Sequence, residues 1–390
     1  MRNPSWILAL LASCLAAVAS ADVPKSPDIR FCPAGRIRTF PLESQRGVEG
    51  LLLQNAVIIN HGPEPFEIAA IDLELMADGK LIDARRIAGD ELMKGGKTGG
   101  NIQASGVMKA FPFQFCGQSL VGEGITLGGP VLGANQGYLL IQQPFAFKGK
   151  RDTLRLHVRL TRFAQNIDVA ATLPIESGFA KTKFRFPLAG ASFAAVGPSL
   201  HTAHRWALPE EFAYDIARIG AGNLSHRGSG AAFTDYYAYG SPVLAAADGT
   251  VAMTVNDQPE DVATLRRPGE TAEAYGQRVQ ALQGALMARG VRAIAGNLVM
   301  LDHGNGEYSL YAHLVPGSVT VRVGDKVSAG APLGKLGSSG NSTEPHLHFQ
   351  VCDAPDPLGC AGIPVAFDNI ELPFADYPRP VQSGDVVIAH

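Results

Sequence analysis

Beyond residue 21 the chain lacks any apolar stretch near the roughly 20 residues that a membrane-spanning helix requires, so no transmembrane segment is expected. It also lacks an excess of charge of either sign. Lys and Arg total 33 against 36 Asp and Glu, leaving a formal −3, and charged residues make up only 18%. No basic run is present, which removes the electrostatic footprint of a nucleic-acid binder. Cysteine is scarce, with 5 in 390 residues and none spaced C-x-x-C, so a cysteine metal site or dithiol redox motif has no support. No internal repeat is visible either.

Glycine and proline are plentiful, 44 and 26 residues, between β-branched runs that alternate in polarity. That composition favours a mainly β chain with many turns. The first residues, MRNPSWILALLASCLAAVASAD, pair Arg2 with an apolar stretch and end in Ala19-Ser20-Ala21, the pattern of a secretory leader cleaved after Ala21. A lipoprotein-type site ending at Cys14 is the competing reading, weakened by the apolar residues that follow it. The expected location is therefore periplasmic or secreted. Four cysteines remain after the leader, and proximity favours Cys32 with Cys116 and Cys352 with Cys360. Residues 22–186 read as an N-terminal antiparallel β-sandwich-like domain, with Asp78-Gly79 as a hairpin turn. Residues 187–203, rich in small and turn-forming types, read as a linker. Residues 204–375 read as a second antiparallel β domain interrupted by a helical insertion at about 257–292, and 376–390 as a tail.

The segment NSTEPHLHFQV places His346 and His348 two apart, hence on one face of a strand, with Leu347 and Phe349 turned to the opposite face. Two converging imidazoles make metal binding plausible, although a bare His-x-His is weak support by itself.

The context sharpens it. YAHL at 311–314, GDKVSAGAPLGKLGSSGNSTEPHLHF at 324–349 and PVLAAADGTV at 242–251 resemble, in order and spacing, the lysostaphin-type zinc metallopeptidases, which cut peptide bonds in bacterial cell walls. The resemblance covers about 204–352 apart from the insertion, and implies a lysostaphin-like β domain holding Zn2+. It implies His348 as a zinc ligand, with His313 and His346 acting on the attacking water and the developing oxyanion. A catalytic zinc takes three protein ligands and leaves a fourth position open. The family's usual upstream His-x-x-x-Asp is altered here: Asp215 fits the aspartate, but Glu211 stands where the histidine would be. The third ligand is then His204, Glu211 or His226, with His204 favoured by a branch of the family that carries an upstream His-Arg; His201 is a weaker candidate. Asp235 could replace Asp215 only across a loop, and His303 is read as structural or cleft-lining. His61, His157 and His390 are read as solvated and Tyr311 as packing.

The expected substrate is thus the peptide cross-links of peptidoglycan, with a regulatory protein partner conceivable through the N-terminal domain. The rival expectation is a catalytically inactive wall-binding or hydrolase-activating module of the same fold. These two differ in whether the protein holds zinc and cleaves sacculi.

Overall fold

The computed structural model describes residues 27–42 and 46–390; the expected leader and Cys14 lie outside the described residues. The N-terminal half is built from two antiparallel layers. In one, Val48–Asn60 pairs with Gln136–Lys148 from Val48↔Lys148 to Asn60↔Gln136. In the other, Phe66–Ala77 lies between Lys80–Ala88 and Thr153–Arg162, and the last pairs with Gln165–Glu176. The layers join where Gln165–Glu176 meets Ile37–Pro41 in parallel. Inward side chains of both, among them Leu53, Ile58, Leu73, Leu156 and Val158, share one buried core, as expected when alternate positions of two facing sheets are apolar. Asp78 and Gly79 both have positive φ (49° and 74°), which suits the two-residue turn joining Phe66–Ala77 to Lys80–Ala88.

One element departs from the sequence reading. Gly89–Ala104, GDELMKGGKTGGNIQA, is an α-helix although its glycines disfavour one. They are needed for proximity: a Cβ on Gly96 would fall 2.6 Å from Gly129 Cα, and one on Gly99 would fall 3.1 Å from Leu139 Cβ.

The C-terminal half is organised by a nine-stranded sheet. Its centre runs Asn297–Asp302, Tyr308–Leu314, Leu347–Cys352, Tyr214–Ala217, every neighbour antiparallel. Within the stretch expected to be a linker, Gly190–Val196 forms a strand that pairs with Tyr214–Ala217 on one side and Val386–Ala389 on the other. The expected tail therefore also supplies a strand. Both stretches are short and rich in small residues, so only their tertiary partners reveal them. The insertion contains the helix Ala272–Met287, capped by the Thr271 side chain, and a short helix Val291–Ala295. Disulfides join Cys32 to Cys116 and Cys352 to Cys360.

Register sets the two faces of this sheet. Tyr214, Phe349 and Tyr311 lie side by side and enter the main buried core. The adjacent row, Asp215, His348 and Ala312, turns to the opposite face and lines a cavity.

Candidate metal centre and active site

Asp215 and His348 are direct cross-strand partners, so their side chains emerge together from neighbouring backbones. His348 Nδ1 lies 3.1 Å from Asp215 Oδ1. His204 comes from a 3-10 turn, His204–Trp206, and places Nε2 3.4 Å from Asp215 Oδ2. One donor atom from each of these three residues lies within 4.8 Å of the others. Glu211 and His226, the other candidates for the third position, are elsewhere. Glu211 is buried against Arg205, and His226 packs against Tyr236 with ring centroids 5.3 Å apart and the rings tilted by 57°.

His346 and His313 complete the cavity, which has a volume of about 280 Å³. His346 immediately precedes the His348 strand and brings Nε2 to 3.4 Å from Asp215 Oδ1. The pairing of Asn297–Asp302 with Tyr308–Leu314 shifts register between Asn297↔Leu314 and Val299↔Tyr311, so one extra residue is accommodated beside His313. His313 takes a φ of 65°, unusual for a residue with a side chain. A bulge of this kind re-aims a side chain, and here the His313 ring sits 4.8 Å from that of His346 and 5.8 Å from that of His348.

Backbone and amide groups decide which ring nitrogens stay available. His313 Nδ1 donates to the Ser339 carbonyl (2.8 Å) and His346 Nδ1 to the Glu344 carbonyl (2.8 Å), leaving Nε2 of each free of those bonds. For His348 the pattern is reversed. Its Nε2 donates to Gln350 Oε1 (2.8 Å), and the Gln350 amide is oriented by donating to the Pro357 carbonyl (3.0 Å). Gln350 did not figure in the sequence reading. The alternation that pairs His346 with His348 points to it, because it is the next residue on that face.

Burial and charge act oppositely on these groups. Burial opposes a charge on His348, but the hydrogen bond to Asp215 and its negative charge prevail and raise the imidazole to about 9. With acceptors at both nitrogens, the cation-free ring is held as an imidazolium. Burial also opposes charge on His346, yet Asp215 raises it. Burial, reinforced by His346 and His348, holds His313 well below the usual histidine value. Asp215 is pushed up by burial but held well below the ordinary carboxylate range by its histidine neighbours.

The donor set fits a divalent cation. Two imidazole nitrogens flank one carboxylate, His348 Nδ1 3.1 Å from Asp215 Oδ1 and His204 Nε2 3.4 Å from Asp215 Oδ2, and the three residues each offer a donor within 4.8 Å of the others. A cation would take the place of the proton on His348 Nδ1, while Gln350 keeps the proton on Nε2.

The other histidines have local partners. His303 bonds to the Asp248 carbonyl (2.7 Å) and to Ser309 Oγ (2.8 Å). Asp235 accepts from the Ala232 amide, and Tyr311 Oη from the Ala246 amide. Contrary to the reading as solvated, His61 and His157 are half-buried and meet Asp28 and Asp168, each at 3.1 Å, whereas His390, 3.3 Å from Glu371, is exposed as expected. These carboxylates are distant in sequence or on a neighbouring strand, beyond the reach of local pattern.

Residues 269–358 match Peptidase family M23, so the C-terminal half carries a domain of that family. The match spans His313, His346 and His348 and begins downstream of His204 and Asp215. Over 109 residues the chain is 34% identical to the DD-carboxypeptidase/endopeptidase Mpg of Neisseria meningitidis serogroup B, covering 27% of this chain and 24% of that protein. It is 39% identical over 74 residues to the peptidoglycan DD-endopeptidase ShyA of Vibrio cholerae, covering 18% and 17%. It is 33% identical over 103 residues to the murein hydrolase activator EnvC of Escherichia coli, covering 21% and 24%. The chain thus spans about a quarter or less of the length of these relatives.

Proposed function

We propose that the protein is an exported zinc-dependent endopeptidase that hydrolyses peptide cross-links of bacterial peptidoglycan. The observation that carries this reading is the meeting of His204, Asp215 and His348 at ligand spacing, beside two further histidines whose Nδ1 atoms are tied to carbonyls. His204 Nε2, one Asp215 oxygen and His348 Nδ1 would hold Zn2+. When bound, that ion acidifies water and polarises a carbonyl as a Lewis acid.

The remaining work falls to the protein. His313 is neutral, with its Nδ1 proton committed to Ser339, so Nε2 is an acceptor placed to orient and deprotonate the attacking water. His346, with Nδ1 on the Glu344 carbonyl, turns Nε2 into the cavity, where as Nε2–H it would donate to the carbonyl oxygen as that atom gains charge. Opposed environments that push two titratable groups apart are the usual origin of an acid–base division. Leader removal after Ala21 would deliver the protein to the wall, and no helix among the described residues is long and apolar enough to cross a membrane. In this reading 22–186 forms a separate β domain and a candidate surface for a regulatory partner.

The relative named as a hydrolase activator favours a second reading, a domain that binds wall or partner without cutting. Retention of all three donors and both flanking histidines argues for cleavage. Metal analysis of the purified protein together with turbidity loss of purified sacculi separates them. One zinc per chain with release of peptide fragments supports the enzyme, whereas a metal-free protein that leaves sacculi intact refutes it.

A further inference from the structure

Three of the four cavity histidines have a partner that fixes the ring: Ser339 for His313, Glu344 for His346 and Gln350 for His348. His204 differs. Its Nδ1 is buried with no hydrogen-bond partner, so no side chain or carbonyl sets its orientation through that atom. Nor does a strand ladder hold its backbone, because two 3-10 turns, His204–Trp206 and Leu208–Glu210, separate it from the Asp215 strand, and neither has a side-chain cap. A ligand with neither support would leave the site loose.

The neighbouring residue supplies what His204 lacks. Arg205 is 0% exposed, and its guanidinium lies 3.4 Å from the equally enclosed Glu211 carboxylate and 4.6 Å above the Phe212 ring. Its own carbonyl accepts a buried hydrogen bond of 2.9 Å from Gln54 Nε2. Gln54 belongs to Val48–Asn60, a strand of the N-terminal half. The same half contributes Phe40, whose ring centroid is 6.0 Å from that of Phe212. A fully buried ion pair is seldom a source of stability by itself, and its best-attested use is to specify one arrangement over others.

We infer that Arg205 is a positioning residue for His204, and that Gln54 makes cation affinity at the C-terminal site depend on the N-terminal half. The inference rests on the reading of His204 as a ligand. The N-terminal half then completes the metal centre through the backbone on either side of one ligand. The Arg205 carbonyl is held by the Gln54 hydrogen bond, and its guanidinium, which has no hydrogen-bond partner, is held by its charge contact with Glu211 and its packing over Phe212, so the His204 imidazole is delivered to Asp215 by its backbone.

The test uses the full mature chain and measures zinc dissociation constants by competition with a chelator, alongside thermal unfolding. Gln54→Met keeps volume but cannot donate to the Arg205 carbonyl, and Glu211→Gln keeps shape but removes the charge facing Arg205. Each should weaken zinc binding about 10- to 100-fold, the usual effect of removing a group that orients a ligand. Val158→Ala, in the N-terminal core away from this contact, controls for general destabilisation and should lower the melting temperature without changing zinc affinity. His204→Ala should weaken zinc binding at least as much as either variant.

A wild-type protein that binds no zinc overturns the proposed function itself. Wild-type binding with unchanged affinity in Gln54→Met and Glu211→Gln overturns the positioning role and leaves the proposed function standing. The same holds if Val158→Ala weakens zinc to the same degree. Should Gln54→Met fail to fold, Gln54→Ala takes its place as the test of dependence on the N-terminal half, and Glu211→Gln tests the Arg205 side chain.

Discussion

Among the described residues two clusters meet the same simple geometric condition for a cation site, one in each half: His204, Asp215 and His348 in the C-terminal sheet, and Asp72, Glu74 and His157 on the polar face of the N-terminal sandwich. Their surroundings separate them. In the N-terminal cluster Arg86 lies 2.7 Å from Asp72, Arg159 lies 3.4 Å from it, and Arg155 is paired with Glu74. Hydrogen bonding from Arg86, ahead of its charge, lowers the Asp72 carboxyl. The negative charge is already matched by guanidinium groups that do not deprotonate. In the C-terminal cluster the counter-charges are imidazoles, which can give up a proton and become ligands. Proximity of donors is therefore common to both, and displaceable positive charge belongs to one.

The strongest way to break this comparison is His348→Ala, which removes one of the three donors. Zinc should be lost and muropeptide cleavage abolished, while circular dichroism shows the folded sheet retained. His313→Ala leaves all three donors in place. It should preserve zinc stoichiometry and lower kcat by about 10²- to 10⁴-fold, the range for loss of an acid–base group; steady-state hydrolysis of a defined muropeptide reads this.

A titration sharpens the difference further. The cation-free His348 imidazole is raised from 6.5 to about 9, so at neutral pH it carries a proton that the ion must displace. Zinc affinity should therefore rise with pH, by about tenfold per unit while one proton is released, and level off above about pH 9. Lowering pH acts in the opposite direction. Chelator competition across pH 6–9.5 measures the slope, and a flat profile would contradict the displacement of that proton.

The smallest effect belongs to the N-terminal cluster. Asp72→Asn removes its ion pair with Arg86 and should cost roughly 1–3 kcal/mol, typical for a hydrogen bond to a charged group. Zinc stoichiometry and affinity should not change. Thermal unfolding and metal analysis of one preparation report both.

How much of this could be read from sequence depends on how each residue is held. Strand-borne features were legible: Leu347 and Phe349 against His346 and His348, and Asp215 among apolar neighbours, because period-two alternation is local. The positive-φ turn at Asp78-Gly79 was legible from its residue types. His204 was only one of three choices, since its place depends on two 3-10 turns and a contact with the other half of the chain. The helix Gly89–Ala104 was hidden by glycines that serve close packing against Gly129 and Leu139. Strands Gly190–Val196 and Val386–Ala389 were read as linker and tail because their ladders are to partners distant in sequence, chiefly each other and, for the first, Tyr214–Ala217. The N-terminal cluster escaped notice because His157, Asp72 and Glu74 meet only when Phe66–Ala77 pairs with Thr153–Arg162.

Anomalous scattering from zinc in crystals of the purified mature protein tests the central claim most directly. One ion should lie among His204 Nε2, Asp215 and His348 Nδ1. No ion at that position in protein prepared with zinc, or an ion held instead by Asp72, Glu74 and His157, would contradict the account.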